Sequence, residues 1–165
     1  MRAEIAPFQP LYLDRLTQLI NKTNQFNLTT LRLTQAEVSE RMTSSQWLTL
    51  YARLADRFGD NGLVAALTGK MQAGCLEIDL WLMSCRVLKR ELEKAMLDEL
   101  VRHCRDRGIT NVIGRYRPTD KNAMVSRLYD ELGFAKIGDE ADGSTVWQLA
   151  VAGYSTQNKV IEVNP

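Results

Sequence analysis

The segment NAMVSRLYDELGF, Asn122 to Phe134, sets a carboxamide and a phenol seven residues apart. Seven residues make nearly two helical turns, so a helix here puts Asn122 and Tyr129 on one face. A phenol with its ordinary pKa of about 10 stays protonated at neutral pH and can act as a general acid. The same spacing also fits an amphipathic helix with a tyrosine at its edge. A second candidate is Asp79, in the apolar run CLEIDLWLM. A carboxylate near the middle of a sheet covered on both faces is costly unless paired, so Asp79 is either a base or one half of a salt bridge. A third is the turn Arg86-Val87-Leu88-Lys89-Arg90-Glu91, which joins that run to a charged helix without a single glycine. Strand-to-helix turns hold phosphates in many α/β folds, and those turns are rich in glycine. The fourth is NKTNQFNLTT, Asn21 to Thr30, where Asn24, Gln25, Asn27, Thr29 and Thr30 surround Phe26. Such a segment can bind a hydroxylated group, or it can cap the next helix with its own side chains.

Two other reactive side chains lack partners in the sequence. Cys85 follows Ser84, but the only histidine, His103, lies far along the next helix, so no Cys–His pair is evident. One histidine also excludes a multi-histidine metal site, and no metal is expected. The three cysteines are odd in number and fit no zinc spacing, so free thiols are expected.

The elements that position these residues can be read from periodicity. Leu13, Leu16, Leu19 and Ile20 make a helical stripe within Leu11 to Asn21. Thr34-Gln35-Ala36-Glu37 has the pattern of a capping box and opens a second helix reaching about Met42. Trp47 to Leu54 reads as a strand, Arg57 to Gly62 as a hairpin turn, and Leu63 to Leu67 as the returning strand. Cys75 to Met83 alternates, with Leu76, Ile78, Leu80 and Leu82 on one face and Glu77, Asp79, Trp81 and Met83 on the other. From Leu88 the period turns helical and runs to Gly108. Asn111 to Tyr116 is a strand, a helix follows from Pro118-Thr119-Asp120 to Leu132, and Phe134 to Ile137 and Thr145 to Val151 are the last strands. Strand–helix–strand units imply parallel pairing in the second half, beside an antiparallel first half. The expected fold is α/β, a mixed sheet with helices on both faces.

The bulk numbers narrow the function. A chain of 165 residues suits a single domain, residues 1 to 165, with one core. A net charge of +1 lacks the basic footprint of a general nucleic-acid binder and gives no reason to expect a membrane surface. No apolar run approaches the roughly 20 residues that span a bilayer. MRAEIAPFQP has no apolar signal core, so the cytoplasm is the default location.

The NAM…YDELGF segment resembles the C-terminal motif of the GNAT acyltransferase superfamily: an Asn, a Tyr seven residues on, then Gly-Phe. The resemblance implies that Asn122 helps hold a thioester cofactor and that Tyr129 protonates the leaving thiolate. It places a general base near Asp79. A narrower resemblance spans nearly the whole chain. NKTNQFNLTT, DRFGDNG, EIDLWLMSCRVLKR and the NAM…YDELGF segment, in that order, are similar to the C-terminal domain of FkbH-like proteins. Those carry an N-terminal HAD-type domain that loads a glyceryl unit onto an acyl carrier protein for polyketide extender-unit biosynthesis. MRAEIAPF resembles the sequence joining the two domains, so Met1 is expected to begin a piece of a longer protein.

The superfamily's phosphate turn reads Arg/Gln-x-x-Gly-x-Gly/Ala, and its bare amides grip the pyrophosphate of coenzyme A. Anchored on the helix, the pattern falls on Leu88 to Glu93, with Glu91 and Glu93 at the small positions. Carboxylates there repel a diphosphate, partly offset by Arg86, Lys89 and Arg90. The bland reading of both glutamates is first-turn carboxylates that favour the helix dipole. The resemblance implies a cofactor site of Met83, Ser84, Cys85, Arg86, Val87, Lys89, Arg90 and Asn122. It also implies an acceptor site at Asn24, Gln25, Phe26 and Asn27. The thioester sits on acetyl- or acyl-coenzyme A or on the phosphopantetheine of an acyl carrier protein, which has no adenosine diphosphate. The implied partners are that carrier and the HAD-type domain. Two alternatives remain beside acyl transfer: a non-catalytic module that docks the carrier, and a small-molecule N-acetyltransferase.

Overall fold

The computed structural model describes residues 1–164. The apolar runs form an 8-stranded sheet in the order β6-β7-β5-β4-β3-β2-β1-β8. The strands are β1 (Arg2–Ala6), β2 (Trp47–Asp56), β3 (Gly59–Gln72), β4 (Cys75–Met83), β5 (Asn111–Tyr116), β6 (Ala135–Asp139), β7 (Thr145–Ala150) and β8 (Glu162–Asn164). β1 to β4 form an antiparallel meander in space, and β4 and β5 are the parallel central pair. The mixed α/β sheet expected from the sequence is therefore what the chain builds. Helices α1 (Leu13–Lys22) and α2 (Gln35–Thr43) cover one face, and α3 (Leu92–Asp106) and the single turn α4 (Leu128–Glu131) cover the other. Among the described residues no helix is long and apolar enough to cross a membrane.

Local signals fix several boundaries. The Thr34 hydroxyl accepts the Glu37 N–H while the Glu37 carboxylate accepts the Thr34 N–H, a complete capping box for α2. Gly108, at φ +71, ends α3. The apolar stripe of α3, from Leu92 to Cys104, is buried against the sheet.

The structure departs from the sequence expectation in several places, four of them in the sheet and the loop after β5. β1 and β8 were not anticipated; they pair parallel at one edge and are too short to show a period. β3 runs well past both expected ends and β2 ends at Asp56 rather than Leu54, with irregular register around Arg53. The stretch from Pro118 to Leu132 is not one helix. It is a 3-10 turn, Ala123–Val125, followed by α4, so Asn122 and Tyr129 do not share a helical face. The Asn122 carboxamide instead closes the loop before the turn, donating to the Arg117 carbonyl and accepting the Thr119 N–H.

The fourth departure is in β4. Thr68 of β3 pairs with Leu80 while Gly69 pairs with Ile78, so Asp79 is an extra residue, a β-bulge. The bulge exchanges the two faces. Leu76 and Ile78 join the cluster beneath α3, as do Trp81 and Met83, whereas Leu80 and Leu82 pack beneath α1 and α2. Strict alternation through the run is thereby broken. The bulged Asp79 is held in place: it accepts from the Thr68 hydroxyl at 2.6 Å and forms an ion pair with Arg41. Arg41 also donates to Thr68 and lies over the Trp47 ring, 3.9 Å from its centroid. The Arg41 and Asp79 side chains are only 13% and 29% exposed. Removing one partner strands the other in a poorly hydrated place. Arg41→Ala is expected to lower stability by about 1–3 kcal/mol in urea unfolding; an unchanged midpoint contradicts this role.

Candidate functional site

β4 and β5 stay paired only from Cys75 with Asn111 to Ile78 with Gly114. Beyond that the strands diverge, and the edge of β4 at Trp81–Met83 faces a gap. The polar segment of the α1–α2 connection fills it. The Leu28 N–H donates to the Trp81 carbonyl at 3.1 Å, and the Met83 N–H donates to the Phe26 carbonyl at 3.0 Å. On the other side the Arg117 N–H donates to the Leu28 carbonyl at 2.8 Å. The Asn122 carboxamide donates to the Asn27 carbonyl at 2.9 Å. Phe26 to Leu28 thus ties the two diverging strands together. Asn27 is fully buried, and its side chain shapes the segment by accepting the Thr29 and Thr30 N–H groups and donating to the Thr23 carbonyl.

A cavity of about 890 Å³ opens next to this wedge, at the C-terminal end of β4. Its walls are Met83, Ser84, Cys85 and Arg86 from the end of β4, Asn24, Gln25 and Phe26 from the wedge, and Arg15, Leu19, Lys22 and Thr23 from α1 and its end. Asp120 and Lys121 close the remaining side. Leu19, Phe26 and Met83 are buried, so the cavity has an apolar floor. The charged walls are Arg15, Lys22, Arg86 and Lys121 against the single carboxylate of Asp120. A mouth of that sign attracts an anion.

The cavity brings together residues assigned to separate sites from the sequence. Met83, Ser84, Cys85 and Arg86 of the cofactor set meet Asn24, Gln25 and Phe26 of the acceptor set. The others lie elsewhere. Val87 is buried in the core beneath α3. Arg90 pairs with Asp56 at 2.6 Å, which holds the Asp56 carboxyl below its usual range. Lys89 is exposed. Asn27 is buried within the wedge and Asn122 beside it, and Asp79 is engaged by Arg41 and Thr68.

Tyr129 is buried, and its hydroxyl has no hydrogen-bond partner among the described residues. Its ring packs against Phe134, with centroids 4.8 Å apart, and against Trp81 at 6.1 Å. Burial, and secondarily the charge of Asp79, push its phenol well above the ordinary value. The indole N–H of Trp81 is likewise buried without a partner. Sequence reasoning did not single out Trp81, Arg15, Lys22 or Lys121. The basic residues of α1 read as ordinary surface charges until the fold sets them around one cavity.

The turn after β4 corrects the register of the phosphate pattern. Lys89 and Glu91 have φ of +65° and +62°, the left-handed conformation natural to glycine. The Arg-x-x-Gly-x-Gly pattern therefore falls on Arg86 to Glu91, two residues before the helix-anchored placement, with Lys89 and Glu91 at the glycine positions. α3 begins at Leu92 rather than Leu88 for the same reason, since neither residue can continue a right-handed helix. Glu93 lies within α3, where burial raises its carboxyl above the usual range. The diphosphate of coenzyme A does not fit this turn well. Two side chains stand where backbone must be bare, and Arg90 and Lys94 are taken up by Asp56 and Glu91.

A scan against protein-family models and a search of curated proteins give no match. Solved structures do match. The ribosomal-protein-S18-alanine N-acetyltransferase of Escherichia coli superposes with a TM-score of 0.69 at 12% identity, over 95% of this chain and 99% of that one. PaiA N-acetyltransferase of Thermoplasma acidophilum, solved with coenzyme A, gives 0.71 at 16% identity over 91% and 99%. The GNAT domain of S. lividans PAT gives 0.70 at 14% over 88% and 89%. The chain has the GNAT fold. At these identities the likeness is one of architecture, so what the site does rests on its own residues.

Tyr129 sits directly on β5. A Cβ at Gly114 would lie 2.4 Å from its ring. Gly114→Ala is therefore expected to overpack the site and cost about 1–3 kcal/mol in denaturant unfolding. A neutral effect shows that the ring is not seated on this strand.

Proposed function

We propose that this chain is an acyl-transfer-type domain that receives a thioester on a phosphopantetheine arm, borne by an acyl carrier protein in preference to free coenzyme A. The observation that carries the reading is the basic-mouthed, apolar-floored cavity at the end of β4. It lies beside a turn whose glycine positions hold Lys89 and Glu91. A phosphopantetheine arm carries one phosphate, two amides and a thiol, and it needs no diphosphate cradle. Arg15, Lys22, Arg86 and Lys121 suit the phosphate and an acidic carrier surface, while Leu19, Phe26 and Met83 suit the arm and the acyl group. Acyl transfer breaks the carbon–sulfur bond as the acceptor attacks the carbonyl, and the departing thiolate takes a proton. Tyr129 is the proposed donor, with Asn122 holding the loops around it. Both oxygens of Asp79 are engaged, so the acceptor proton passes to water in this reading. The resemblance to FkbH-like proteins supports a setting in extender-unit biosynthesis beside a HAD-type glyceryl-loading domain.

A second reading, a docking module without chemistry of its own, is favoured by one observation. The Tyr129 hydroxyl is sealed from the cavity. Incubation with acyl-coenzyme A and with acylated carrier protein, followed by intact-mass measurement, separates the readings. With an amine or hydroxyl compound supplied as acceptor, the proposal expects the acyl group to pass from the carrier to it, leaving the free carrier thiol, and carrier binding at least ten-fold weaker in Lys22→Glu/Arg86→Glu. Carrier binding with the acyl group intact supports docking alone. Micromolar coenzyme A binding without any carrier interaction contradicts both.

A further inference from the structure

The wedge makes the hydrogen bonds that a bound linear ligand would make. Its backbone accepts from Met83 and donates to Trp81 along one strand, and accepts from Arg117 next to the other. It is not a strand in its own right. Among the described residues its ladder pairing is a single antiparallel bridge, Asn27 with Leu82 of β4. Its shape is imposed by the Asn27 side chain and by Thr30 at φ +54, a conformation unusual for a threonine. One end of it, Asn24 to Phe26, forms the cavity wall. Trp81, whose carbonyl the wedge pairs with, and Tyr129, whose ring lies 6.1 Å from that of Trp81, present buried donors without partners among the described residues.

The geometry points to Phe26–Leu28 as an internal occupant of a second, deeper subsite, one that a linear amide-bearing arm takes over by displacing it. An arm entering from the cavity exchanges its amides for those of Phe26 and Leu28 at the Met83 N–H and the Trp81 carbonyl. The donors Trp81 Nε1 and Tyr129 Oη then meet the thioester carbonyl oxygen and the sulfur. The inference rests on the reading of a phosphopantetheine thioester as substrate. It adds that the domain is closed at rest, and that its apparent affinity is lowered by the fraction of time the wedge stays in place. Asn27 is the latch, since its side chain fixes the wedge through bonds to Thr23, Thr29 and Thr30.

Backbone amide exchange followed by NMR tests the displacement, with S-acetyl-phosphopantetheine as the probe. At saturation the amides of Leu28 and Arg117 lose at least ten-fold protection, because their partners leave. The Met83 amide keeps its protection, because the arm replaces the Phe26 carbonyl. Asn27→Ala, by loosening the latch, binds the probe at least ten-fold more tightly than the unaltered chain. If the probe binds and shifts Ser84 and Arg86 while Leu28 and Arg117 stay protected, the cavity alone is the site. The inference then fails while the proposed function stands. If neither the unaltered chain nor Asn27→Ala binds the probe, both fall.

Discussion

The structure turns on one junction, the hydrogen bonds that Phe26–Leu28 makes to the edge of β4. Parallel strands need every backbone group paired when they are buried, and β4 parts from β5 after Ile78. Something must pair with Trp81 and Met83 beyond that point. The chain supplies its own α1–α2 connection, and the consequences spread outward. Asn122 is drawn inward to hold the Asn27 carbonyl, and the loop after β5 closes around it. α1 is brought next to the end of β4, which gathers Arg15 and Lys22 beside Arg86. The cavity and its charge follow from where this short segment lies.

The turn before α3 shows a different balance. Left-handed geometry at a residue with a Cβ costs roughly 1–2 kcal/mol, and here Lys89 and Glu91 both adopt it. The fold retains the shape of a phosphate turn without the residues that make it cheap. Burial of Val87 and Leu92 on either side and the pairing of Arg90 with Asp56 hold the turn in that shape. Basic side chains stand instead around the cavity, whose lining includes Arg15, Lys22, Arg86 and Lys121 beside the carboxylate of Asp120. That arrangement separates the attraction of a phosphate from the grip on a diphosphate. The proposed preference for a carrier-borne arm rests on that separation.

Much of the scaffold could be read from the sequence. The bounds of β4 and β5 are those expected, because each is a short apolar run between strong turn signals. The α2 capping box was legible because its signals are local. The bulge at Asp79 was not, since LEIDLWLM alternates faultlessly on paper and only the pairing with Thr68 and Gly69 shows the extra residue. The register of the phosphate turn was misplaced because the helix was taken to start with its period, at Leu88. Backbone conformation at Lys89 and Glu91 delays it. For the site, the polar segment and the end of β4 were both singled out, but their meeting was not foreseen. The partners of Asn27 and Asn122 lie some 95 positions apart in the chain, and no local pattern encodes such a bond.

The central claim is that the chain itself occupies the gap between β4 and β5. Scalar couplings transmitted through hydrogen bonds, measured by NMR on the isotopically labelled protein without ligand, test it directly. The account predicts couplings from the Met83 nitrogen to the Phe26 carbonyl carbon, from Leu28 to Trp81, and from Arg117 to Leu28. Absence of all three, with the Leu28 amide exchanging as fast as an exposed loop, contradicts it.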